Sequence, residues 1–215
     1  MPTRARASAP KSYHHGDLHH ALVRSGLDLL REEGPEALTL RGVARAAGVS
    51  QAAPYRHFAD RRALVAAVAE AGFRMMQAAM FHAVDGTDGR TSLKAVAFAY
   101  VRFGLKHPAL YRIMFGPEVA SQDDLPELRE TSGAVLGFVR EGIAVLQKQK
   151  LVSRGNAHAM AIATWSTLHG LVMLSLDNQA GGAGLSVDVL VEEATHMMMF
   201  GMAPRKPART RIKRA

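Results

Sequence analysis

The chain has 215 residues, with 27 Lys and Arg against 19 Asp and Glu, for a formal net charge of +8. Apolar types make up 48% and charged types 21%, which supplies a sizeable core and excludes wholesale disorder. The absence of cysteine excludes disulfide scaffolds, thiolate metal sites, iron–sulfur clusters and cysteine nucleophiles together. No run approaches the roughly 18 consecutive apolar residues of a membrane span, so no membrane partner is expected. The charged opening lacks the apolar stretch of a secretory signal, and a reducing, cytoplasmic setting is expected. Charge is unevenly placed. Residues 1–70 carry 10 basic and 7 acidic side chains and five of the ten histidines, residues 71–202 are near neutral, and residues 203–215 hold six basic and no acidic side chains. A basic head suits a polyanion partner, and equally a plain solvated surface.

Residues 1–13, rich in Pro, Ala, Ser and Arg, read as a disordered arm. Apolar residues then recur at helical spacing (Leu18, Leu22, Gly26, Leu29, Leu30) and predict a helix over 16–33, ended by Gly34-Pro35. Thr39 is a good N-cap for a short helix to 47. Gly48 stops it, Ser50 caps a third over 50–58, and Asp60 caps a fourth over 61–82. These make a compact head over 14–74. The body, 75–202, also reads as helices: a turn cluster at 85–89, then helices over 91–106, 108–115, 126–150, 153–176 and 187–201, with a loose Gly-rich stretch at 178–186. No stretch alternates long enough for a sheet, so the expected fold is all-α. Residues 203–215 read as a basic disordered tail.

The stretch 39–58, TLRGVARAAGVSQAAPYRHF, has the residue types of a helix-turn-helix. Ala44 is small where two helices cross, Gly48 suits a left-handed turn, and Val43 and Val49 fill a shared core. Gln51, Ala52 and Ala53 are small and polar enough to enter a major groove. Tyr55, Arg56 and His57 carry tips that reach phosphates or base edges. Asp60-Arg61-Arg62 sets cations beside that surface.

On these residues the chain resembles the tetracycline-repressor (TetR) family of bacterial transcription regulators. The motif residues are Thr39-Leu40-Arg41, Ala47-Gly48-Val49-Ser50, Tyr55-Arg56-His57-Phe58 and Arg61, and the resemblance covers about residues 13–73. It departs from the family at Ala52, often Gly, and at Arg61, usually Lys, which keeps the charge but changes its geometry. The resemblance implies that Thr39, Tyr55 and Arg61 mainly hold phosphates, that Arg41, Gln51, Ala53 and Pro54 lie nearest base edges after the Ser50 cap, and that Arg56 and His57 do either. It also implies a homodimer on double-stranded palindromic operator DNA, acting as a ligand-released repressor without a cofactor.

Farther along, 107–112 with Met114-Phe115, and Trp165-Ser166-Thr167-Leu168-His169-Gly170, resemble a subgroup of the family with a Trp-His-Gly (WHG-type) ligand-binding and dimerisation domain. The last two long helices are apolar on more than one face (Met160, Ile162, Leu168, Leu171, Val172, Leu174, then Val187, Leu190, Val191, Met197, Met198, Phe200). A helix of that kind buries one face on its own core and one on a partner, so these helices are the expected dimer interface. Phe103, His107, Tyr111, Met114, Trp165, His169 and Met173 have the composition of an apolar effector pocket with a few polar groups. His169 equally suits a hydrogen-bonded core position. The short helix 108–115 lies between head and body in sequence and is a candidate lever.

Three rivals remain. His14, His15, His19 and His20, with Asp17, would make a metal-responsive regulator, since His15 and His19 are four apart on a helix. Ser166 and His169 would make an enzyme, but they lack an orienting acid and an oxyanion site. The tail from Pro204 to Arg214 would make a non-specific DNA binder whose affinity falls steeply with salt.

Overall fold

The structure, a computed structural model, describes residues 15–179 and 185–201, without the side chains of residues 15–17, Arg90 and Phe200. The expected arm and tail, and part of the loose stretch 178–186, lie outside the described residues. Among those described there are eight α-helices and no strand, as an all-α fold requires. The chain divides into two compact units, Met1–Val68 and Ala69–Ala215.

The first unit holds α1 (His15–Glu32), α2 (Leu40–Ala46) and the start of α3 (Arg61–Ala83), with 3-10 turns at Pro35–Ala37 and Pro54–Arg56. Leu22, Leu29 and Leu30 of α1 are buried, as are Leu38, Val43, Ala44, Phe58, Leu64, Val65 and Val68. Thr39 caps α2, its hydroxyl oxygen accepting the Gly42 N–H at 2.9 Å, and the Asp60 carboxylate accepts the Ala63 N–H at 2.8 Å at the start of α3. Gly42 has no room for a side chain, because a Cβ would stand 2.5 Å from the Ala37 carbonyl oxygen. Gly48 ends α2 with a φ of +66°. Its N–H reaches the Arg45 carbonyl and the Val49 N–H reaches back to Ala44, the paired closure that follows a left-handed residue.

The segment after that turn differs from expectation. Residues 50–58 are not an α-helical rod. Gln51–Ala53 form turns, and only Pro54–Arg56 are helical, of the tighter 3-10 kind. Pro54 has no N–H to bond the Ser50 carbonyl four residues back. The bonds that remain run mostly three residues back: Ala53 to Ser50, Arg56 to Ala53 and His57 to Pro54, at 3.0, 3.2 and 2.9 Å. Buried Pro54 and Phe58 anchor the turn from beneath.

The second unit continues α3 and adds α4 (Gly89–Lys106), α5 (Pro108–Met114), α6 (Pro126–Lys148), α7 (Ala157–Leu176) and α8 (Val187–Gly201), with a 3-10 turn at Pro117–Val119. Helix α4 packs on α5, α6, α7 and α8, and α7 packs on α4, α6 and α8. Exposed pairs Lys94–Glu192 and Arg102–Asp188 join α4 to α8, and Arg112–Asp177 joins α5 to the end of α7. Helix α7 starts four residues later than Ser153 predicts, because Asn156 is the cap: its side-chain oxygen accepts the His158 and Ala159 N–H groups. Helices α6 and α7 close as α2 does, with Lys150 (φ +59°) and Asn178 (φ +56°) in the left-handed position.

Helices α3 and α7 are long and apolar enough on average to cross a membrane by length and composition alone, a property that a search for unbroken apolar runs overlooks. Half of the α3 window is buried within the protein, but little of the α7 window is.

Candidate nucleic-acid interface and ligand cavity

In the first unit, Arg41, Ser50, Gln51, Tyr55 and Arg56 are exposed, and Tyr55 retains 55% of its surface. The short turn accounts for Tyr55 and Arg56: with Pro54 and Phe58 buried, these two point outward, while His57 is half-buried. The remaining predicted residues take other positions. Thr39 is half-buried and occupied as a cap, Ala53 is half-buried and Pro54 is buried. Arg61 donates from Nε to the Leu38 carbonyl at 3.0 Å and from Nη2 to the Pro35 carbonyl at 3.3 Å, fastening the loop that carries Thr39. The His57 ring lies 6.0 Å from that of His19, which in turn lies 5.0 Å from Phe58. His19 thus packs against the turn. His14, and the side chains of His15 and Asp17, lie outside the described residues, among which no group of three His, Asp or Glu is placed to hold a metal.

In the second unit a chain of hydrogen bonds crosses three helices. The Trp165 indole N–H donates to the Tyr100 hydroxyl at 3.0 Å. The Tyr100 and Tyr111 hydroxyls are 2.7 Å apart, and the Tyr111 hydroxyl is 2.8 Å from His169 Nδ1. Burial holds the His169 imidazole below its ordinary pKa and so keeps it neutral. Burial also pushes the Tyr100 phenol up to about 12, partly countered by its bonds to Tyr111 and Trp165. Tyr111 rises further, through burial first and the neighbouring Tyr100 second. Every member is therefore neutral near pH 7. Either tyrosine hydroxyl can donate to the other, but an indole N–H only donates, so Tyr100 accepts from Trp165. The arrangement that also gives the buried Tyr100 proton an acceptor among the described residues has Tyr100 donate to Tyr111. In that arrangement Tyr111 donates to His169 Nδ1 and the imidazole proton sits on Nε2. Gly104 permits this approach of α4 to α7, because a Cβ there would stand 2.6 Å from Val172 and 3.1 Å from the Tyr111 ring.

Beside this relay lies a cavity of about 450 Å³, within the usual range for small-molecule sites. Its walls are mainly apolar, from Phe73, Met80, Val96, Val119, Val135, Leu136 and Leu168. Of the predicted pocket residues, Met114 and Trp165 line it. Tyr111 and His169 stand behind Tyr100, in the relay. The Phe103 and His107 rings pack against each other, tilted, at 5.0 Å and, like Met173, are not among the described lining residues. Sequence reasoning missed Tyr100, Gln122 and Arg129, all of which line the cavity. Tyr100 lies eleven positions before Tyr111, three turns of one helix but spanning a break between two here, so no single periodicity connects them.

Of the described residues expected to form a dimer interface, Leu168, Val172 and Val191 are buried in the protein's own core, Met160, Leu171, Val187, Leu190 and Met198 are half-buried, and Ile162, Leu174 and Met197 are exposed, Met197 to 71%. Val189, which is not among those expected, is exposed as well. The Phe200 side chain lies outside the described residues.

Residues 22–68 match the family model described as "Bacterial regulatory proteins, tetR family". Residues 93–198 match one described as "Tetracyclin repressor-like, C-terminal domain", which does not name the Trp-His-Gly subgroup. The chain is 38% identical over 103 residues to the tetracycline repressor protein class C of Escherichia coli, an alignment that spans 47% of this chain and 46% of that repressor. A protein with unknown function from Rhodococcus sp. RHA1 superposes with a TM-score of 0.78 at 33% identity, over 90% of this chain and 100% of that one. A TetR family transcription regulator from Marinobacter aquaeolei VT8 superposes with a TM-score of 0.65 at 19% identity, over 87% and 96% of the two chains, which bears on the fold alone.

Proposed function

From the premise that the chain belongs to the TetR family, we propose that it is a cytoplasmic repressor that binds palindromic operator DNA as a homodimer and is released by a small, mostly apolar effector. Membership makes it a DNA-binding transcription regulator and not an enzyme. The observation that carries the finer reading is the exposure of Arg41, Ser50, Gln51, Tyr55 and Arg56 within the helix-turn-helix stretch, beside the buried anchors Pro54 and Phe58. In this reading Gln51 and Arg41 meet base edges, Tyr55 and Arg56 meet phosphates, and Thr39, Pro54 and Arg61 hold the turn in place. One such face binds weakly, and a second copy supplies the other half-site. The outward residues of α7 and α8 (Ile162, Leu174, Val189 and Met197) support dimerisation, since an apolar helix face left in water favours burial.

The cavity in the second unit supports an effector site. A ligand that binds better to the conformer whose two heads do not match the operator spacing releases the DNA. The test is selection of bound fragments from random DNA, with molar mass measured by light scattering. We expect a palindromic consensus and a dimer. Tyr55→Ala is expected to abolish binding to the selected DNA while the dimer persists. A monomer, or a Tyr55→Ala protein that shifts the DNA as the wild type does, overturns the reading.

A further inference from the structure

We infer that the cavity ligand is an amphiphile with an apolar body and a single carboxylate head, seated on Arg129. This rests on reading the cavity as the effector site and names the class of molecule that fills it.

Three observations converge. First, Arg129 is the only charged side chain among the described lining residues, which include no carboxylate. A cationic ligand therefore meets repulsion and finds no counter-charge. Second, Arg129 is exposed, at the edge of the cavity, and its guanidinium makes no hydrogen bond or ion pair with any described residue, whereas several other arginines of this unit are paired: Arg74 with Glu70, Arg102 with Asp188, Arg112 with Asp177 and Arg140 with Glu141. Its planar fork matches a carboxylate with two parallel hydrogen bonds. Third, the other polar groups on the wall are sorted by what they offer. The Trp165 N–H and the Tyr100 hydroxyl are committed to the relay. The Gln122 side-chain oxygen accepts from Ser132 at 3.1 Å, and its NH2 is free to donate among the described residues. Gln122 precedes α6 and Arg129 stands near its start, so the unused donors come from one stretch of chain. Donors concentrated there, with walls elsewhere that are aromatic and aliphatic apart from Thr164, select a molecule whose acceptors are gathered at one end.

Trp165 is the only tryptophan of the chain and lines the cavity, so its fluorescence reports occupancy without DNA. The wild-type protein is titrated near neutral pH with two matched pairs, decanoate against decanol and cyclohexylbutanoate against cyclohexylbutanol, and with decyltrimethylammonium. We expect saturable binding of at least one acid, at least about tenfold tighter than its alcohol, the size of a charge-assisted hydrogen bond. The ammonium compound is expected not to saturate. Arg129→Ala is expected to lower acid affinity to that of the alcohol and leave the alcohol unchanged, with Arg129→Lys intermediate. The inference is overturned if acid and alcohol bind equally, if Arg129→Ala retains the preference, or if no acid saturates the signal. Binding in the expected pattern without release of DNA would leave the ligand class standing and sink only the release mechanism, so the two readings fail separately.

Discussion

Tyr111→Phe isolates the relay from packing, because it removes one oxygen from a fully buried ring and leaves the ring contacts in place. Two partners lose their bond. The Tyr100 hydroxyl, 3% exposed as a residue, keeps a proton with no acceptor, and His169 Nδ1 loses its donor. A buried group left unsatisfied costs about 1–3 kcal/mol. His169 is half exposed and can recruit water, so most of the loss falls on Tyr100, and the total is about 2–3 kcal/mol. For a chain of this length that corresponds to a drop of roughly 5–10 °C in Tm. Tyr100→Phe is milder, about 1 kcal/mol, because Tyr111 still donates to His169 and only the Trp165 N–H beside the cavity loses its acceptor. In the double variant the second change adds little. Urea denaturation followed by circular dichroism, over the full cycle of wild type, both single variants and the double, measures these terms. A Tyr111→Phe protein as stable as wild type, or a cycle whose two losses simply add, would refute the directed chain.

The same geometry sets a pH dependence. The folded His169 has a lowered pKa, so its contribution to stability is complete above the unfolded value near ~6.5 and is lost as pH falls below it. His169→Gln is therefore expected to flatten part of the acid limb in a plot of Tm against pH. The raised phenols act in the opposite sense: their contribution is complete below about 10, and for Tyr100 it is lost as pH rises towards about 12. Gly104→Ala forces a Cβ to within 2.6 Å of Val172. We expect a net loss of at least about 1 kcal/mol, overpacking exceeding the gain in helix propensity. Gly142→Ala, with nothing within 4 Å, is expected to gain up to about 1 kcal/mol in the same denaturation assay. Lys150→Gly relieves a left-handed lysine at the end of α6 and is expected to raise stability by about 0.5–1 kcal/mol. A neutral or negative change would show that the closing turn carries no strain.

Much of the helical layout was readable because its punctuation is local. Thr39, Asp60, Pro108 and Pro126 act on backbone groups within a few residues, and helices begin at or beside each of them. The misplacements have equally local causes. Pro54 lacks the N–H that an α-helix needs there, so the full helix expected after Ser50 is replaced by a short 3-10 turn. Likewise the expected start of α7 at Ser153 overlooks Asn156, a residue type that caps equally well. Only the folded backbone shows which one meets the free N–H groups.

The cavity was less readable. Trp165 and His169 stand four apart on one helix, and that spacing was enough to associate them. Tyr100, Gln122 and Arg129 belong to other segments, and nothing in their spacing links them to Trp165. The amino-acid order determined what is decided within a few turns of chain: the helices, most of their caps, the left-handed break at Gly48 and the polar residues that follow it. Long-range packing decided the rest, namely which way the relay runs, which face of α7 the core covers and which cation among the described residues borders an apolar hollow. These depend on the approach of segments far apart in sequence, through close contacts such as that of Gly104 with Val172, and no local pattern encodes such an approach.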